Sequence, residues 1–187
     1  MLKILTGLSA IGIIFGAIFL SHVYTTENSI NTKNIFAQDI QKSKPQLLAK
    51  DEGIVERIVD GDTITVLLEN NKTEKIRIIG MNAPESVDPR RGVECFGKEA
   101  SRYLNDLLRG KKVRLEKDGS QQNYDKYGRA LRHVFLNEIN IAESMIREGY
   151  AYEYTYNNPY AYQKSFKIAQ QEAQKNEAGL WAPGACK

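Results

Sequence analysis

Histidine is nearly missing from this 187-residue sequence, which has two. His22 lies beside an N-terminal apolar run, so His133 stands alone in the rest of the chain. One imidazole cannot build a histidine zinc site, and its place in an alternating apolar segment marks it as a strand residue rather than a catalyst. Net charge is also lacking. The chain carries 26 basic and 23 acidic residues, but residues 1–50 hold five lysines against Glu27 and Asp39; setting these aside leaves 21 of each sign. A neutral remainder gives no global electrostatic case for a polyanionic partner, so any such case must come from a local site. Two familiar ion-binding loops are absent too. "GVECFGK", Gly92 to Lys98, has the spacing of a P-loop, yet Glu99 stands where a Ser or Thr must hold magnesium, and no apolar strand precedes it. "DGDTITVLLENN" puts Thr65 where an EF-hand needs glycine.

Charge is missing in one more place. From Ile4 to Leu20, "ILTGLSAIGIIFGAIFL", there are 17 residues without a charged side chain. That is long for the apolar core of a signal peptide and slightly short for a spanning helix. Residues 1–22 read as an N-terminal hydrophobic helix, either an uncleaved membrane anchor or a cleaved signal, with a buried core helix as a third reading. Lys3 stays in the cytoplasm under the positive-inside rule, which sends the remainder outward: membrane-anchored outside the cytoplasm, or secreted. Residues 23–50 are polar, too poor in apolar surface to order themselves, and read as a linker. Residues 51–187 form the domain. Cysteine is scarce: Cys95 and Cys186 are the two present. An even number in an exported chain points to one disulfide, which closing so long a loop makes worth about 4–5 kcal/mol in chain-entropy terms. Two unpaired thiols are the alternative.

The domain is rich in strand signals. "GIVERIVDG" and "TITVLLEN" are β-prone runs joined through "DGD", and "KIRIIGM" follows the turn "NNKTE". In "KEASRYLNDLLRG", Ala100, Tyr103, Leu104, Leu107 and Leu108 share one helical face, and Gly110 ends the run. "KVRLEKD" and "RALRHVFLN" alternate as a fourth and a fifth strand. "INIAESMIREG" is a short amphipathic helix, "YAYEYTYNNPY" a loop or irregular strand, and "AYQKSFKIAQQEAQKNEAG" a last helix. This order predicts an α+β fold: a five-stranded OB-type Greek-key barrel with three α-helices. No oligomerisation signal is visible, so a monomer is expected.

Three places set charge at strand ends. They are "VDGDT", with Asp60 and Asp62 around a glycine; "IRIIGMNAPE", with Arg77 in the strand and Glu85 after Pro84; and "DKYGRAL", where Arg129 opens the fifth strand. Singly these are a hairpin turn and solvated arginines. Together they suit phosphodiester hydrolysis. A hard cation on oxygen ligands neutralises phosphate, two guanidinium groups grip it in bidentate fashion, and a carboxylate readies water.

"VDGDT", "RIIGMNAPE", "PRRGVECFGKEAS", "DKYGR" and "GLW" occur in this order over about residues 53–182 and resemble the thermonuclease, or staphylococcal nuclease-like, family. The resemblance implies an OB-type barrel with three helices and calcium-dependent hydrolysis of DNA and RNA, on single-stranded or frayed substrate, leaving 3′-phosphate ends. It implies that Arg77, Glu85 and Arg129 are catalytic. It also implies that Asp62, the Asn82 side chain and the Ala83 backbone carbonyl hold Ca2+, and that Tyr127 and Tyr154 or Tyr156 contact the nucleotide. One departure is Asn82, which stands where thermonuclease has a second calcium-binding aspartate, so weaker calcium binding is expected. Asp60 could compensate through the metal's water shell. The alternatives are a non-catalytic module of the same barrel, holding single strands by tyrosine stacking, and an interaction domain of a surface complex. Of the six tyrosines from Tyr150 to Tyr162, most read as packing residues.

Overall fold

The computed structural model describes residues 50–86 and 92–186. The N-terminal hydrophobic helix and nearly all of the polar linker expected before the domain lie outside the described residues. Among the described residues no helix is long and apolar enough to cross a membrane.

The described residues begin with a meander. β1 (Lys50–Asp60) turns through Gly61 and Asp62 into β2 (Thr63–Leu68), which returns as β3 (Thr73–Ile78). Alternation decides which faces turn inward: Ile64, Val66, Ile76 and Ile78 are buried, while Ile54 and Lys75 face out. Two register shifts in β1, at Val55/Arg57 and Ile58/Asp60, bend it. After a two-residue β4 (Met81–Asn82) the chain enters α1 (Gly97–Leu108), then β5 (Lys112–Glu116) and β6 (Ala130–Leu136). β5 pairs antiparallel with both β1 and β6, and β6 pairs parallel with β3. The five long strands thus close on themselves as a barrel with no free edge. β7 (Ile139–Asn140) leads into α2 (Ile141–Arg147), and α3 (Gln163–Lys175) precedes a single 3-10 turn at Gly179–Trp181.

Both the strand order and the three helices match the pattern read from the sequence. α1 buries Ala100, Leu104 and Leu108, with Tyr103 and Leu107 packed at the margin. Ile141, Met145 and Ile146 of α2 and Phe166 of α3 join the same core. Each such side chain contributes about 1.5–3 kcal/mol of burial. The tyrosine-rich segment, read as a loop or irregular strand, holds the short β8 (Tyr152–Glu153), which pairs with β4. Two residues are too few for alternation to register. Cys95 and Cys186 form a disulfide with Cα atoms 5.6 Å apart, tying the approach to α1 to the far end of the domain.

His133 is fully buried and does not face the groove described below. Its Nε2 donates to Asp118 Oδ2 at 2.9 Å. Asp118 also accepts from Ala161 N (2.8 Å), Ser120 N (2.9 Å) and Ser120 Oγ (2.7 Å). Burial pushes the Asp118 carboxyl up, but these donors outweigh it and hold the pKa well below the ordinary carboxylate range. A depressed folded pKa means that this contribution is complete above about pH 4 and fades as pH falls further. Asp118→Asn turns an amide N–H toward a donor and is expected to cost about 2–4 kcal/mol at pH 7. In urea unfolding, the gap between variant and native protein should shrink on going from pH 7 to pH 3. A gap independent of pH would contradict this role.

Candidate active site

The barrel geometry brings one end of β1, β2, β3 and β6 together. Asp62 occupies the two-residue β1–β2 turn, and its backbone carbonyl accepts from Ile78 N at 3.0 Å. Thr63 pairs across the sheet with Arg77, and Arg77 lies opposite Leu131 of β6, two residues past Arg129. Asp62, Arg77 and Arg129 are therefore neighbours although 67 residues of sequence separate the outer two.

Arg77 is held on all sides. Nη1 donates to the carbonyls of Ile78 and Met81, both at 2.8 Å. Nη2 lies 3.0 Å from Asp62 Oδ2 and donates to Asn82 Oδ1 at 3.1 Å. Its side chain is only 12% exposed. Burial lowers its pKa; the Asp62 charge opposes this and Arg129 adds to it. Both terminal nitrogens serve chain acceptors, as a buried guanidinium without partners would be costly. Arg129 is held more loosely. Nε donates to Asp125 Oδ2 at 2.6 Å, Nη1 reaches Thr63 Oγ1 at 3.3 Å, and the guanidinium lies 5.4 Å from the Tyr127 ring centre. Burial raises the Asp125 carboxyl, but hydrogen bonds from the Arg129 backbone and side chain and from Tyr127 N bring it below its ordinary value.

Acidic groups gather beside the arginines. Asp62 is buried and accepts from Thr63 Oγ1 (2.8 Å) and Ala83 N (3.3 Å). Gly61 makes this approach possible, since a Cβ there would stand 2.5 Å from Ala83 Cβ. Asp60 Oδ1 accepts from Gly61 N (2.8 Å) and Ser86 Oγ (2.6 Å). Burial pushes the Asp60 carboxyl up to about 6, against those two donors, and the negative charges of Asp62 and Glu85 add to the rise. Glu85 is half-buried. Its backbone is clasped by Glu94: Glu85 N donates to Glu94 Oε2 at 2.9 Å, and Glu94 N donates to the Glu85 carbonyl at 2.8 Å.

The aromatic wall arrives through β8. Pairing of Asn82 with Tyr152, continued by Tyr154 N donating to the Gly80 carbonyl at 3.0 Å, sets Tyr154 beside β4. The Tyr154 and Tyr156 rings are 6.4 Å apart, and both are well exposed, as is Tyr127. All ten residues proposed from the sequence for metal, catalysis or substrate, namely Asp60, Asp62, Arg77, Asn82, Ala83, Glu85, Tyr127, Arg129, Tyr154 and Tyr156, line one groove of about 1170 Å³. Glu94 and Asp125 line it as well, and Thr63 and Ser86 bond to Arg129 and Asp60 beside it; sequence reasoning passed these four over. Only Asp125 carried a local signal, an aspartate three residues ahead of a glycine in a turn.

Among the described residues no three His, Cys, Asp or Glu side chains are grouped as a metal cage. The donors near Asp62 nonetheless suit a hard cation that keeps part of its water shell. They are oxygens: the carboxylates of Asp62 and Asp60 and the amide of Asn82, with the Arg77 guanidinium in contact with Asp62 and Asn82. The observed contact of Ala83 with Asp62 is through its amide N–H.

Residues 75–183 match the family described as staphylococcal nuclease homologue. A thermonuclease of Staphylococcus hyicus is 39% identical over 126 residues, covering 67% of this chain and 73% of that protein. A thermonuclease of Staphylococcus intermedius is 36% identical over 128 residues, covering 68% and 74%. Endonuclease YncB of Bacillus subtilis is 32% identical over 129 residues, covering 68% and 60%.

Proposed function

The chain belongs to the staphylococcal nuclease homologue family and is a nuclease, and from this premise we propose that it is a calcium-dependent enzyme cutting both DNA and RNA outside the cytoplasm. The observation that carries the reading is the meeting of Arg77, Arg129, Asp62 and Glu85 in one groove. Asp62 and Asn82 would hold the calcium ion with the Ala83 carbonyl, Asp60 lending its charge from nearby. Bound there, the ion supplies Lewis-acid neutralisation of the phosphate. Arg77 and Arg129 orient the phosphate oxygens and meet the charge that grows on them in the transition state. Glu85 accepts a proton from the attacking water. Arg77 Nη2 is shared by Asp62 and Asn82, so ligation by those oxygens and donation by Arg77 to phosphate are linked. Tyr127, Tyr154 and Tyr156 offer rings for unstacked bases, which favours single-stranded or frayed substrate.

Contact through phosphate and stacking is common to both polymers, which supports action on DNA and RNA alike. Digestion of single-stranded DNA and RNA of equal length in calcium tests this: breakdown of both, leaving 3′-phosphate ends, is expected. Survival of either polymer would contradict it. Action outside the cytoplasm is supported by the uncharged run at 4–20 and by the Cys95–Cys186 disulfide, a bond suited to oxidising compartments.

Asn82 offers a neutral oxygen where a carboxylate would add charge. Asn82→Asp is expected to tighten calcium binding roughly tenfold, because affinity at such sites rises with ligand charge. Isothermal titration of the two proteins with calcium measures this, and equal affinities would remove Asn82 from the ligand set.

A further inference from the structure

The mechanism above leaves Glu94 unused, although this acidic side chain also lines the groove. Its side chain and its amide N–H both bond to one neighbour, Glu85. Glu94 Oε2 accepts from Glu85 N at 2.9 Å, and Glu94 N returns a bond to the Glu85 carbonyl at 2.8 Å. Glu94 is itself fixed: its carbonyl accepts from Gly97 N at 3.0 Å where α1 begins, and the adjacent Cys95 is covalently tied to Cys186. Gly97 has no room for a side chain, since a Cβ there would collide with the Glu85 carbonyl. On the other side, Ser86 Oγ donates to Asp60 at 2.6 Å. The Glu85 backbone is thus gripped from the α1 side by Glu94 and from the β1–β2 turn through its successor Ser86.

We infer that Glu94 is a positioning residue, whose carboxylate holds the Glu85 main chain so that the Glu85 side chain keeps a fixed aim into the groove. The inference rests on the reading of Glu85 as the proton acceptor. Displacement of a catalytic group by about an ångström costs up to about a hundredfold in rate. Loss of one exposed hydrogen bond gives a smaller movement, so Glu94→Ala should lower kcat roughly tenfold, with KM and Tm nearly unchanged.

The test is steady-state cleavage of single-stranded DNA by the native chain, Glu94→Ala, Glu94→Gln, Glu85→Gln and the Glu94→Ala/Glu85→Gln double variant, with Tm recorded for each. Glu94→Gln keeps an acceptor oxygen for the Glu85 N–H and should retain kcat within about threefold. In the double variant, the Glu94 change should add little to the loss caused by Glu85→Gln. A rise in KM alone would make Glu94 a substrate contact, and a full additional loss in the double variant would make it an independent catalyst; either overturns the inference. Equal losses for Ala and Gln, or a large fall in Tm, would do so as well. If Glu85→Gln is crippled while Glu94→Ala keeps full kcat, the clasp fails and the reading of Glu85 survives. If Glu85→Gln keeps full activity, that reading fails and takes the clasp with it.

Discussion

Arg77→Lys is expected to lose about 100- to 1000-fold in kcat/KM while keeping its positive charge. The reason lies in the number of groups that Arg77 serves at once. Its two terminal nitrogens reach the Ile78 and Met81 carbonyls, Asp62 and Asn82, at 2.8 to 3.1 Å. These contacts span the turn after β3 and link it to the β1–β2 turn. An ammonium carries three donors on one atom and cannot face four acceptors spread around a planar fork. Some of those acceptors would be left buried without a donor, so a loss of about 1–3 kcal/mol in stability should accompany the loss of rate. Denaturant unfolding and steady-state kinetics on the same preparations separate the two effects, provided that assays run where the variant is fully folded. A folded Arg77→Lys protein with near-native kcat/KM would show that charge alone suffices, and the planar clamp would have to be abandoned.

Glu85→Gln should lower kcat about 100- to 10,000-fold and leave KM within a few-fold of native. The substitution keeps the size of the side chain and removes its ability to take a proton. The two bonds from Glu94 go to the Glu85 amide and carbonyl, which the substitution leaves in place. Near-native turnover in a properly folded Glu85→Gln protein would leave the water without its proposed proton acceptor.

Much of the fold can be read from local pattern because each main element announces itself. The alternation of Ile64 and Val66 and of Ile76 and Ile78, the shared face of Ala100, Leu104 and Leu108, and the stops at Gly110 and Gly149 all report burial along one segment. The residues that carry charge at strand ends were legible because charge beside an apolar run is conspicuous. How those charges are partnered was not. Thr63 meets Arg129 across 66 residues, and Tyr154 is aimed by a pairing of β8 with β4, too short to leave a pattern. Asp118 looks like any loop aspartate until the barrel brings His133 and Ala161 to it. The internal partners of Arg77, the Ile78 and Met81 carbonyls, Asp62 and Asn82, likewise follow from burial in the folded chain. Contacts of this kind belong to the closed barrel rather than to any one of its strands.

The proposed use of these groups depends on a cation at Asp62. The decisive measurement is the initial rate of single-stranded DNA cleavage by the full chain in calcium, after chelation, and after calcium is restored, with Asp62→Asn run alongside. The rate should fall at least about 100-fold on chelation and recover fully, and Asp62→Asn should need roughly tenfold more calcium for half-maximal rate. Cleavage that continues unchanged in chelator would contradict the role given to Asp62 and, with it, the proposed division of labour in the groove.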